Sequence, residues 1–288
     1  MRNDFAILIL SHGRPNNVKT IKTLLSCGYT GKYYLVVDDE DISLDEYKKT
    51  FGEDNILVFS KDYAATKFDI MDNFEGRGVP TYARNVLHEI AKNLGLTYFL
   101  ELEDDYTGFY YRYKDGNILR AVKVDKFDLV VDVFIDFLEV SNAKTVAFVQ
   151  GGDLLGGWDR TIWKTRCIRK AMNCFFCKTD REFICDGRFN DDVNSYIKYG
   201  NLGDLYLSCV DICMVQPNTQ SSAGGITDAY KLYGTYVKSL YSVMLRPDCV
   251  KVQGLNGTGG NNRFHHIIEW NNAVPKIISS KYKKGELK

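Results

Sequence analysis

The chain has 288 residues, 45% apolar and 26% charged, the balance of a folded globular protein with one core and an elaborated second half. Lys+Arg and Asp+Glu both number 37, so no global field draws the chain to nucleic acid or to an anionic membrane, and any polyanion must meet a local patch. The first apolar run, Phe5 to Leu10, is stopped by His12, Gly13, Arg14 and Pro15, too short for a signal-peptide core or a membrane span, which predicts a cytoplasmic protein.

The first hundred residues alternate apolar runs with helix-like stretches, the mark of βαβ units and a mostly parallel sheet. Phe5 to Leu10 reads as a buried strand, Asn16 to Leu25 as a helix behind Pro15, and Tyr33 to Val37 as a second strand closed by Asp38-Asp39-Glu40-Asp41. Ser43 to Phe51 follows as a capped helix stopped by Gly52, and Asn55 to Phe59 as a third strand. Val79 to Leu94 has Pro80 in its first turn, apolar residues at helical spacing and Gly95 as a stop. Tyr98 to Leu102 is then a strand running into Glu103-Asp104-Asp105. Ligands of open α/β sheets bind outside the carboxyl ends of strands, so both acidic clusters point to one crevice.

Phe109 to Tyr113 and Ile118 to Val122 flank Asp115-Gly116 as a hairpin. Lys126 to Glu139 is an amphipathic helix whose Asp128, Asp132, Asp136 and Glu139 form a solvated stripe. Thr145 to Val149 is another strand, followed by the pairs Gly151-Gly152 and Gly156-Gly157. Eight cysteines without an export signal read as reduced thiols. Cys174 and Cys177 have CxxC spacing, with Cys185, Cys209 and Cys213 further on; zinc is the alternative to small buried hydrophobes on a strand over 173–177.

Three adjacent carboxylates repel one another unless a cation binds or the loop splays them into water. Glu103 and Asp105, two apart at a strand end, suit a divalent ion of the kind that neutralises a departing nucleoside diphosphate; a solvated acidic turn is the competing account.

Ser11-His12-Gly13-Arg14-Pro15, Val37-Asp38-Asp39, Ala83-Arg84-Asn85 and Leu102-Glu103-Asp104-Asp105 resemble, in order and spacing, the motifs of the GT-A class of glycosyltransferases. The resemblance implies a GT-A, Rossmann-like α/β fold: a mixed, mostly parallel sheet flanked by helices. It also implies a UDP-sugar donor and Mn²⁺ or Mg²⁺. On it, Ser11, Arg14 and Asp104 belong to the nucleotide site, Asp38 or Asp39 accepts from the uracil ring, and Arg84 lies near the nucleotide; a surface pair of Arg84 with Glu89 is the bland alternative. Asp105 is the metal ligand, Glu103 serves ribose or metal, and one of His265 and His266 completes the metal site, since strand neighbours face opposite ways. In Phe189-Asn190-Asp191-Asp192-Val193 the class places the general base, here Asp192 in preference to Asp191, and a helix N-cap with an acidic first turn fits the same residues.

Residues 234–244, Pro247-Asp248-Cys249-Val250-Lys251, Arg263-Phe264-His265-His266 and Trp270-Asn271 are similar to the phage TET/JBP-associated glycosyltransferases. That family implies sugar transfer, glucose or arabinose, to hydroxymethylated pyrimidines in double-stranded DNA within an infected bacterium. A DNA acceptor needs local basicity, and Arg160, Lys164, Arg166, Arg169 and Lys170 are interleaved with Trp158 and Trp163. The bland alternative there is an amphipathic element with solvated charges. The expected organisation is one domain, 1–288, with a nucleotide-sugar half over 1–105 and an acceptor half over 106–288. Rival functions are transfer to a saccharide or protein hydroxyl, nucleotidyl transfer, and a sugar-nucleotide or DNA-binding module without chemistry.

Overall fold

The computed structural model describes residues 1–154, 167–217, 226–234, 236–255, 263–274 and 280–283. Four strands of the first hundred residues, β1 (Phe5–Leu10), β2 (Lys32–Asp38), β3 (Ile56–Phe59) and β4 (Tyr98–Glu103), lie parallel in the order β3-β2-β1-β4. All six residues of β1 are buried, as expected of a strand covered on both faces. The hairpin forms as β5 (Gly108–Asp115) and β6 (Ile118–Lys123), with Gly116 at φ +58 in its turn.

Then β7 (Thr145–Gln150), β8 (Cys167–Ile168), β9 (Cys174–Lys178) and β10 (Tyr206–Val215) extend the sheet to the order β3-β2-β1-β4-β9-β7-β10-β5-β6, with β8 beside β10. Strand β9 runs antiparallel between β4 and β7, while β10 is parallel to β7. The result is a mixed, mostly parallel sheet flanked by helices. A second sheet pairs β11 (Val250–Leu255) with β12 (Arg263–Ile268).

The helices are α1 (Thr20–Ser26), α2 (Leu44–Phe51), α3 (Lys61–Ala65), α4 (Thr81–Arg84), α5 (Leu87–Asn93), α6 (Phe127–Ser141), α7 (Asp191–Asn201), α8 (Ile226–Tyr233), α9 (Lys238–Leu245) and α10 (Trp270–Ala273). Helix α6 buries Phe127, Val130, Val131, Phe134, Ile135 and Leu138 at helical spacing and ends on left-handed Asn142. Phe134 packs on Phe148 at 4.8 Å and Phe148 on Phe176 at 5.3 Å, tying the helix to β7 and β9. Of its acidic stripe Asp136 is exposed, whereas Asp128 accepts from Thr30 and Glu139 pairs with Lys178 and Arg181. No helix among the described residues is long and apolar enough to cross a membrane.

Two predicted helices differ. Between Pro15 and Ser26 a short 3-10 turn at Pro15–Asn17 precedes α1, because the N–H groups of Lys19 and Thr20 dock on the Asp104 carbonyl and restart the helix there. The predicted helix from Val79 to Leu94 is two short helices, α4 and α5. Asn85 donates to the carbonyls of Thr81 and Cys185 and accepts from Cys185 N–H at 2.8 Å, and this clamp to a segment 100 residues away interrupts the helix. Cys174 and Cys177 lie buried on β9 as small hydrophobes, and burial pushes both thiols up.

Candidate active site

The carboxyl ends of β1, β2, β4, β7 and β10 open on a cleft of about 280 Å³. Gly13, at φ +69, turns the chain after β1 so that its N–H reaches Asp41 Oδ2 at 2.7 Å. That turn presents His12 to Asp38, Nδ1 to Oδ2 at 2.7 Å, while Lys61 Nζ reaches Asp38 Oδ1 at 2.7 Å. Burial opposes ionisation of Asp38, but these hydrogen bonds and charges hold its carboxyl down to about 2. His12, Asp38 and Asp41 bring possible ligand atoms within 4.8 Å of one another. Lys61 pairs with Asp38 and the Asp41 oxygens accept the N–H groups of Gly13 and Ser43, so these carboxylates are engaged by the turn itself.

At the centre of the cleft floor sits Arg84, 6% exposed. Its Nη1 meets both oxygens of Asp191 at 2.8 Å, its Nη2 meets Glu103 Oε1 at 2.9 Å, and its Nε meets Glu101 Oε1 at 3.3 Å. Burial works against the guanidinium, but Asp191, Glu101 and Glu103 outweigh it and keep Arg84 charged. Burial pushes Glu101 up to about 7 despite Arg84, and its Oε2 has no hydrogen-bond partner.

Glu103 and Asp105 both line the cleft, and both carboxyls are raised, first by burial and, for Glu103, also by the like charge of Asp105. Asp105 Oδ1 is buried without a hydrogen-bond partner. Two half-buried carboxylates facing one space, one with an orphaned oxygen, fit a divalent cation of oxygen-ligand preference. Asp104 faces the other way. It is fully buried, accepts from Ser11 Oγ at 2.5 Å and pairs with Arg14 Nη2 at 2.8 Å, and burial pushes it up to about 6.

Opposite the β4 carboxylates, Asp191 and Asp192 begin α7, where the positive end of the helix dipole favours them. Asn190, at φ +56, occupies the N-cap position without a side-chain cap bond; its amide donates instead to the Lys238 carbonyl at 2.8 Å. Asp191 is committed to Arg84, whereas Asp192 lines the cleft with Oδ1 accepting, among the described residues, only the adjacent Val193 N–H, and burial and Asp191 raise its carboxyl.

Ser11, Arg14, Asp38, Arg84, Glu103, Asp105, Asp191 and Asp192 therefore share one cleft, as expected from sequence. Other placements differ from expectation. Asp39 is exposed and accepts the Lys61 N–H at the start of α3, so of the two aspartates Asp38 is the one on the cleft wall. Arg84 is not a surface residue paired with Glu89: it is buried at the cleft with all three of its guanidinium nitrogens on carboxylates. His265 and His266 lie on β12 with rings 4.3 Å apart, against the expected alternation, and neither is among the lining residues. His266 instead meets Asn190 Nδ2 at 3.1 Å, bracing the turn before Asp191, and burial holds its ring down to about 3.

Trp158, Arg160, Trp163, Lys164 and Arg166 lie outside the described residues. Arg169 is half-buried with Nη2 toward the Asp204 carbonyl at 3.4 Å, and Lys170 pairs with Asp153. Lining residues that the sequence did not single out include Lys61, Arg77, Tyr82, Gln150, Asn173, Gln216 and Tyr230. Lys61, Gln150 and Gln216 each end or follow a strand at the ligand-binding edge, the signal that could have found them.

A mixed sheet with nucleotide-type acidic turns at its strand ends and a buried carboxylate cluster between its halves is the framework of a sugar-transferring enzyme. The family model of the TET-Associated Glycosyltransferases matches residues 5–225, and the chain belongs to that family and is a glycosyltransferase. No curated protein matches it by sequence. Among solved structures it is similar to glucosyl-3-phosphoglycerate synthase from Mycobacterium tuberculosis in complex with Mn²⁺, UDP and phosphoglyceric acid, at 12% identity, covering 92% of this chain and 86% of that one with a TM-score of 0.45. It is also similar to S. aureus TarS in complex with UDP, at 11% identity, covering 85% of this chain and 65% of that one with a TM-score of 0.42.

Proposed function

We propose that this enzyme moves a sugar from a UDP-sugar to the hydroxymethyl group of a modified pyrimidine in DNA, by single displacement with inversion. The observation that carries the proposal is the division of labour in the acidic pair: Asp191 is locked by Arg84, and Asp192 faces the same cleft as Glu103 and Asp105. Membership of the TET-Associated Glycosyltransferases supports the acceptor, because the resemblance to that family implies hydroxymethylated pyrimidines in DNA.

In this reading the uridine lies along β1 and β2, where Asp38 keeps acceptor capacity for a ring N–H. Glu103 and Asp105 would hold Mn²⁺ or Mg²⁺, and the ion would supply positive charge for the diphosphate. Ser11 and Asp104 position Arg14 at the same edge. Asp192 takes the proton of the acceptor hydroxyl, the oxygen bonds to the sugar C1, and the bond from C1 to the diphosphate breaks to release UDP. Its burial and its like-charged neighbour raise its proton affinity, which suits a base. The phosphate contacts of the DNA fall to Arg160, Lys164 and Arg166, and base stacking to Trp158 and Trp163, on their sequence pattern of cations interleaved with aromatic residues.

The test is incubation with UDP-glucose or UDP-arabinose, Mn²⁺ and duplex DNA carrying 5-hydroxymethylcytosine or 5-hydroxymethyluracil, followed by digestion to nucleosides and mass spectrometry. A hexose or pentose gain on the hydroxymethyl nucleoside is expected. Asp192→Asn should retain UDP binding and lower transfer by about 10² to 10⁴. Transfer to an oligosaccharide or protein hydroxyl with DNA untouched overturns the acceptor, and an Asp192→Asn rate within a few-fold of wild type overturns the base.

A further inference from the structure

The two ends of the cleft differ in chemistry. At the ends of β2, β1 and β3 the wall carries Asp38, His12, Arg14 and Lys61, the charged groups a nucleoside diphosphate calls for. Beyond the carboxylates, at the edges of β9, β7 and β10, it carries among the described residues Met172, Pro217 and three uncharged amides: Asn173 precedes β9, Gln150 ends β7 and Gln216 follows β10. These strands are consecutive in the sheet, so the amides form a row along its ligand-binding edge.

The row is also ordered. Asn173 Nδ2 donates to Gln216 Oε1 at 3.2 Å, which leaves Asn173 Oδ1 as an acceptor and Gln216 Nε2 as a donor. Asn173 is itself anchored, at φ +56 with its carbonyl receiving the Tyr106 hydroxyl, so its side chain is carried on a fixed piece of backbone. A charged acceptor gains nothing from such a wall. A sugar hydroxyl, donor and acceptor alike, does not need the direction of the pair to be fixed. A heterocycle does: cytosine offers an amino donor beside a ring acceptor, and uracil offers a carbonyl acceptor beside a ring donor, the opposite order.

We propose that Asn173 and Gln216, with Gln150 beside them, form the subsite that reads the hydrogen-bonding edge of the acceptor pyrimidine and tells cytosine from uracil. The proposal rests on the DNA acceptor of the preceding section. Both variants are nearly isosteric: Gln216→Glu replaces the Nε2 donor that faces the base with an acceptor, and Asn173→Asp removes the Nδ2 donor that orients Gln216. Initial rates of transfer to duplexes bearing 5-hydroxymethylcytosine or 5-hydroxymethyluracil should show a clear preference in the wild type. The ratio should shift by about 5- to 150-fold in each variant, the worth of one paired base contact. Titration with UDP in the presence of Mn²⁺ serves as the folding control. Variants that bind UDP and transfer with the wild-type ratio overturn the subsite while leaving the DNA acceptor standing. A wild type that transfers to neither duplex overturns the acceptor and the subsite together.

Discussion

Replacing Arg84 with methionine removes the one cation that, among the described residues, contacts Glu101, Glu103 and Asp191, while keeping a side chain of comparable length. Three carboxylates would then share a dry space, and the cheapest response is to bind protons. A buried aspartate kept neutral at pH 7 costs about 4 kcal/mol, three pH units at about 1.4 kcal/mol each. Glu101, already pushed up to about 7, and Glu103, up to about 8, add little. The expected loss of stability at pH 7 is therefore about 4 kcal/mol, within the range of about 3 to 5 kcal/mol for orphaning a buried charge. The sign of the pH dependence follows from linkage. The folded variant holds a proton that the unfolded chain releases above about pH 4, so its deficit grows as pH rises and shrinks by about 1.4 kcal/mol per unit as pH falls. Urea unfolding of both proteins at pH 5, 6, 7 and 8 measures this difference. A deficit below about 1 kcal/mol, or one that does not change with pH, refutes the clamp.

His88 is 4% exposed, packed edge-on to Phe99 and Phe183, and burial holds it down to about 3. Below about pH 6.5 the unfolded chain takes up a proton that the folded one refuses, so His88 should cost about 2 kcal/mol of stability by pH 5; His88→Phe should remove that slope, and equal slopes in both proteins contradict neutral burial. Asp105→Asn should weaken Mn²⁺ binding, read by the paramagnetic signal of the free ion, by more than the about 10- to 100-fold typical of an outer-shell partner; an unchanged affinity moves the cation elsewhere. Replacing Lys164 and Arg166 with Gln should reduce the log-log salt slope of duplex binding by about 2. Arg169→Gln should leave that slope unchanged, because its guanidinium is occupied at the Asp204 carbonyl.

The strands of the first half and the crevice they share were legible because each is a short apolar run ending in charged or polar residues, as Phe5–Leu10 and Tyr98–Glu103 illustrate. What the sequence hid depends on partners far along the chain. Asn85 breaks the expected helix through Cys185, and Arg84 spends its donors on Glu101 and on Asp191, 107 residues away. Neither pairing leaves a periodic trace. Asp104 shows a related limit: three consecutive acids read alike, yet the turn aims the middle one at Ser11 and Arg14 and the outer two at the cleft. The amides of Gln150, Asn173 and Gln216 carry no charge pattern, and only the strand order brings them together.

Strand β9 gives that order a further meaning. It begins 71 residues after β4 ends, yet it covers the β4 edge over the pairs Tyr98↔Lys178 to Leu102↔Cys174 and continues the sheet into β7. A fragment ending at residue 105 would present that edge bare, as a row of unpaired amides on an apolar strand, an invitation to aggregate. The first 105 residues are thus not a unit that closes its own sheet edge; β9 holds the strands on both sides of it in one continuous sheet.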